Sequence, residues 1–127
     1  MKKNLMGNQM PTKNKESTRY YSNQQETQVC KILNAVKQAN SGAGKFAAGD
    51  CYNKSASLLI ECKTCMAEKD SISIKKEWIE KLEEERKIKR LSNKLLAFSF
   101  GPESKNYFVI DEKLASFLIE KLEEENI

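Results

Sequence analysis

The stretch Asp50-Cys51-Tyr52-Asn53-Lys54-Ser55-Ala56-Ser57-Leu58-Leu59-Ile60-Glu61-Cys62-Lys63 constrains the fold more than any other. Asp50-Cys51-Tyr52 reads as a short strand, Asn53-Lys54-Ser55 as a turn, and Ser57 to Lys63 as a second strand. Two extended runs with a short polar break between them predict a hairpin. Side chains alternate along a strand, so Leu58, Ile60 and Cys62 fall on one face and Leu59, Glu61 and Lys63 on the other.

The remaining elements follow from periodicity. Residues 1–22 are polar and aperiodic and read as a flexible basic arm carrying Lys2, Lys3, Lys13, Lys15 and Arg19. From Gln24 to Asn40, Val29, Ile32, Leu33, Val36 and Ala39 recur at helical spacing, with Glu26 on their inward face. A small-residue loop, Ser41 to Gly49, holds three of the five glycines and precedes the hairpin. Ser73 to about Arg90 predicts a long helix with Trp78, Ile79 and Leu82 on one side and Glu83–Lys87 as a favourable i,i+4 pair. Leu95–Phe100 and Tyr107–Ile110 read as strands. Asp111 then caps a last helix whose expected core face is Leu114, Phe117, Leu118 and Leu122. The order αββαββα predicts an α/β fold with a mixed sheet of about four strands flanked by helices, residues 23–127 forming one domain. The heptapeptide Ile79-Glu80-Lys81-Leu82-Glu83-Glu84-Glu85 recurs as Ile119-Glu120-Lys121-Leu122-Glu123-Glu124-Glu125, which reads as convergent helix composition.

Several chemistries are excluded by what the chain lacks. It has no histidine, which removes Ser-His-Asp and Cys-His catalysis and His-ligated zinc. Gly42-Ala43-Gly44-Lys45 lacks the spacing of a phosphate loop. No run approaches the roughly 18 apolar residues of a membrane span, and no apolar stretch follows the basic start, so a cytoplasmic location is expected. Cys62-Lys63-Thr64-Cys65 is a single C-x-x-C without a second close pair, so the four cysteines read as reduced, partly buried thiols. Catalysis then rests on carboxylates, lysine, cysteine thiolates or a bound metal.

Charge is unevenly spread. Residues 1–100 carry 19 Lys/Arg against 11 Asp/Glu, a net of +8, whereas residues 101–127 carry 3 against 7, a net of −4. A basic body with an acidic end suits a polyanion held away from the C-terminus. Within that body, Glu61 and Lys63 share one strand face in an otherwise apolar stretch, and a hairpin brings Asp50 close to Glu61. Adjacent carboxylates repel, and a hard divalent cation such as Mg²⁺ relieves the repulsion.

Asp50…Glu61-x-Lys63 resembles the signature of the PD-(D/E)xK nucleases, with Gly49 in the place of proline. The preceding helix with Glu26 and the Ser41-Gly42 loop look like the Holliday junction resolvase branch of that superfamily, over roughly residues 26–100. The resemblance implies a restriction-endonuclease-like core and a Mg²⁺- or Mn²⁺-dependent endodeoxyribonuclease acting on branched DNA as a homodimer. It implies Asp50, Glu61 and the Cys62 carbonyl as metal ligands, Lys63 as the catalytic lysine and Glu26 as a further catalytic carboxylate. Ser41 and Lys45, with Lys13, Lys15 and Arg19 of the arm, are its expected DNA contacts. The lone Arg19 departs from the arginine-richer arms of such proteins. Two other readings compete: a noncatalytic nucleic-acid-binding protein retaining the nuclease fold, and a helical adaptor built on the Glu/Lys-rich helices.

Overall fold

The computed structural model describes residues 14–38 and 51–126, with side chains from Tyr20 onward. Its elements are α1 (Asn14–Ile32), β1 (Val36–Lys37), β2 (Cys51–Asn53), β3 (Leu58–Lys63), α2 (Lys76–Lys89), β4 (Asn93–Phe98), β5 (Tyr107–Val109) and α3 (Glu112–Glu125). The five strands form one mixed sheet in the order β1-β2-β3-β4-β5. β3 and β4 are parallel, joined through α2, and the other neighbours are antiparallel. An α/β fold with a mixed sheet is therefore present, with five strands where about four were expected.

The difference arises at the end of α1. Helical spacing suggested a helix from Gln24 to Asn40, but α1 runs from Asn14 to Ile32. Asn34 adopts a left-handed conformation (φ 52°). The Ala35 N–H reaches back to the Cys30 carbonyl at 2.8 Å, closing a Schellman-type end, and Ala35 packs beside the core that holds Cys30. Asparagine tolerates that conformation better than most residues. Val36 matched the helical period by coincidence, since Val36-Lys37 pairs with Cys51-Tyr52 as β1, and Ala39 and Asn40 lie outside the described residues. At the other end, residues 14–22 belong to α1 and not to a flexible arm. No Gly or Pro interrupts the chain between Pro11 and Gly42 to prevent it.

The hairpin follows its sequence signals. Cys51 pairs with Ile60 and Asn53 with Leu58. The Asn53 side chain accepts from the Ala56 N–H at 2.9 Å, while Ser57 takes a positive φ of 52° to enter β3. The two faces of β3 bury different cores. Ile60, with Leu58 and Cys62 beside it, packs with Val29, Cys30, Cys51, Leu95 and Ala97 under α1. Leu59 packs with Leu82 and Leu96, with Trp78 and Ile79 alongside, under α2. The predicted alternation of β3 is observed.

Helix α2 also ends in a Schellman-type turn, with Arg90 left-handed and the Leu91 N–H on the Arg86 carbonyl at 3.1 Å. Glu83 does not pair with Lys87 as expected. It accepts a fork from Arg86 (2.7 and 2.8 Å) and an ion pair from Lys94 (3.0 Å), because Lys94 on β4 comes within reach across the chain fold.

The last helix departs most from expectation. Asp111 caps it through the Leu114 N–H at 3.0 Å, as predicted. However, α3 buries no residue, and Phe117, Leu118 and Leu122 of its expected core face are exposed. Periodicity reports that a helix has an apolar face but not what covers it. Among the described residues, no helix is long and apolar enough to cross a membrane.

Candidate active site

Strand alternation places Glu61 and Lys63 on the α2 side of β3, where they line a small depression with Trp78, Lys81, Leu82 and Glu85. The Lys63 ammonium lies 4.5 Å from the centre of the Trp78 ring, and Lys75 approaches the same ring at 5.9 Å. The ring's electron-rich face attracts both cations and gives Lys63 a preferred seat. Beyond the end of β3 a cavity of about 320 Å³ opens, lined by Lys63, Thr64, Cys65, Lys69, residues 71–73, Trp78 and Phe98. Its charged lining residues are the two lysines, and two aromatic rings face it, a lining suited to an anionic, partly aromatic ligand.

The backbone of this site is held from the opposite layer. Gln25 of α1 is 6% exposed, and its side-chain amide donates to the Lys63 carbonyl at 3.1 Å and to Asn106 Oδ1 at 3.2 Å. The Gln25 amide oxygen accepts from the Thr64 hydroxyl at 2.8 Å. A buried amide with its donors and acceptor engaged makes a stiff link. The chain end of β3 is thereby tied to α1 and to the loop before β5. Sequence reasoning missed Gln25 and assigned Trp78 to the core alone. The available signal for Gln25 was its position four residues before Val29, on the inward face of α1.

The expected site residues fall into three groups. Glu61 and Lys63 are brought together, with Cys62 between them facing the α1 side. Glu26 rides on α1, whose buried residues Val29 and Cys30 pack against the other face of the sheet, and its charge is felt by Cys30. Asp50, Ser41, Lys45 and Lys13 lie outside the described residues, while Lys15 and Arg19 are placed only as backbone of α1. Asp50 directly precedes Cys51 in sequence, and the register partner of Cys51, Ile60, directly precedes Glu61.

The donor set proposed for a divalent cation is all oxygen, as Mg²⁺ and Mn²⁺ require. Glu61 is the carboxylate of that set among the described residues, and no three His, Cys, Asp or Glu side chains among them are grouped to hold a metal ion. The cysteines do not offer a substitute. None of the four is in a disulfide, and Cys30, Cys51 and Cys65 are buried. Burial, reinforced by the hydrogen bond and the charge of Cys51, pushes Cys30 up to about 12, so it stays protonated at neutral pH.

Comparison of the chain with protein-family models, with curated proteins and with solved structures gives no match.

Proposed function

We propose that the chain is a metal-dependent DNA endonuclease with a restriction-endonuclease-like core, acting on branched DNA. The observation that carries this reading is the seating of Glu61 and Lys63 side by side on one face of β3, beside a lysine- and aromatic-lined cavity. The antiparallel β2–β3 hairpin followed by a parallel β3-α2-β4 crossover supports it, being the order of elements expected around such a site. The basic excess of residues 1–100 supplies the long-range attraction for a polyanion.

In this reading Asp50, Glu61 and the Cys62 carbonyl would hold the cation, which would supply Lewis-acid stabilisation of the phosphate and a more acidic water. Lys63, steadied by Trp78 and by Gln25 on its carbonyl, orients the attacking water and offsets charge on the scissile phosphate. Lys69 and the cavity rings receive the neighbouring nucleotide. Water gives up one proton as its oxygen adds to phosphorus, the P–O bond opposite breaks, and the leaving oxygen takes up a proton, so none is gained or lost overall. Glu26, expected beside them, rides on α1 across the sheet from Glu61 and Lys63 and has no part in this reading.

Titration of the protein with Mn²⁺, followed by electron paramagnetic resonance, tests the site without choosing a substrate. Saturable binding that weakens at least tenfold in Glu61→Gln and Asp50→Asn, with the fold intact, is the expected result. Wild-type affinity in Glu61→Gln would remove the site assignment and favour a noncatalytic nucleic-acid-binding protein.

A further inference from the structure

A row of side chains leads from the cavity to the edge of the sheet. Lys63 on β3, Phe98 on β4 and Tyr107 on β5 are register partners across three adjacent strands, so they share the α2 face. Phe98 and Tyr107 are stacked with ring centres 5.9 Å apart, and Phe100 meets them edge-on at 5.5 and 5.8 Å. Burial falls along the row. Phe98 is half-buried and lines the cavity, whereas Tyr107, on the outermost strand, is 46% exposed. The cations gather at the inner end, with Lys63 and Lys69 in the cavity wall and Lys63 and Lys75 over the Trp78 ring. Glu68 and Asp70, in the segment between β3 and α2, offset part of that charge. What distinguishes this surface is therefore its rings more than its net charge.

From this row we infer that the site takes an unpaired strand of DNA, one base entering the cavity beside Phe98 and the next stacking on the exposed ring of Tyr107. Lys63 and Lys69 meet the phosphate of the base in the cavity. A cavity of about 320 Å³ lies at the small end of ligand sites and suits a single base with its sugar. In a duplex the bases are stacked on one another and offer no face to a protein ring; an unpaired strand offers each of its bases. Stacking of this kind is tolerant of base identity, so the row reads the absence of pairing and not a sequence. The inference rests on the reading that the chain acts on DNA and narrows it: the branched substrates it favours are those with an unpaired arm, such as a fork. It takes nothing from the metal chemistry at Glu61.

Fluorescence anisotropy in EDTA, where no metal-dependent cleavage intervenes, compares three labelled ligands of about 12 nucleotides: oligothymidylate, an abasic strand of the same charge, and a blunt duplex. The full chain is expected to bind oligothymidylate at least fivefold more tightly than either of the others, the least that one stacked base supplies. Oligothymidylate should also quench the fluorescence of the sole tryptophan, Trp78. Tyr107→Ala should weaken oligothymidylate binding about fivefold or more and leave the abasic strand and the duplex unchanged, a split that a general loss of structure would not produce. Tyr107→Phe keeps the ring and should bind as the wild type does. Equal affinity for the abasic strand and oligothymidylate, tighter binding of the duplex, or unaltered oligothymidylate binding in Tyr107→Ala would overturn the inference alone, since the Mn²⁺ titration at Glu61 is a separate measurement. No affinity for any of the three ligands would overturn it together with the DNA reading.

Discussion

Lys63 owes its place to two residues on opposite sides of the sheet: Gln25 holds its carbonyl and Trp78 its ammonium. The alternation of β3 was enough to foresee that Glu61 and Lys63 share a face. It was not enough to foresee Gln25, because a polar residue on an inward helix face acquires its meaning from partners 38 and 81 positions away. A second cluster, Glu83 with Arg86 and Lys94, makes a prediction of its own. The Arg86 hydrogen bond first, and the Lys94 hydrogen bond next, lower Glu83 from 4.5 to about 2. A carboxylate lowered in the folded state adds stability above its ordinary pKa and loses it as pH falls towards the folded value. Stability measured by urea unfolding should therefore decline between about pH 4.5 and 2, and Glu83→Gln should flatten the part of that decline due to this group. An unaltered slope in Glu83→Gln would show that the fork to Arg86 does not persist in solution.

At the scale of elements, local signals located most of the pieces. The hairpin, α2, β4, β5 and the Asp111 cap were all legible from turn residues, alternation and helical spacing. The end of α1 was not, because Val36 and Ala39 continued the apolar period past Asn34, where a left-handed turn stops the helix. β1 is two residues long and has no pattern of its own; its pairing with β2 defines it. The shared heptapeptide of α2 and α3 shows the same limit from the other side, since its leucine is buried as Leu82 and exposed as Leu122. Leu82→Ala should cost about 2–5 kcal/mol in unfolding free energy, as expected for a buried leucine. Leu122→Ala should stay within about 0.5 kcal/mol of wild type. Equal losses at the two positions would contradict the difference in packing.

Across the whole molecule, a five-stranded mixed sheet separates an α1 layer, which anchors the site's backbone, from an α2 layer, which carries the side chains around Glu61 and Lys63. Lys63, Lys69 and Lys75 gather around the cavity and Trp78, and an acidic run, Glu123-Glu124-Glu125, ends α3. The central claim is that Glu61 supports metal-dependent hydrolysis of DNA. Its most direct test is cleavage of labelled four-way junction, fork and linear duplex DNA by the wild-type chain and by Glu61→Gln, each with Mg²⁺ and with EDTA. The account predicts cleavage of branched DNA that requires Mg²⁺ and falls by about 10²-fold or more in Glu61→Gln. Cleavage by Glu61→Gln at the wild-type rate, or no cleavage of any of the three by a folded wild-type protein that binds DNA, would contradict it.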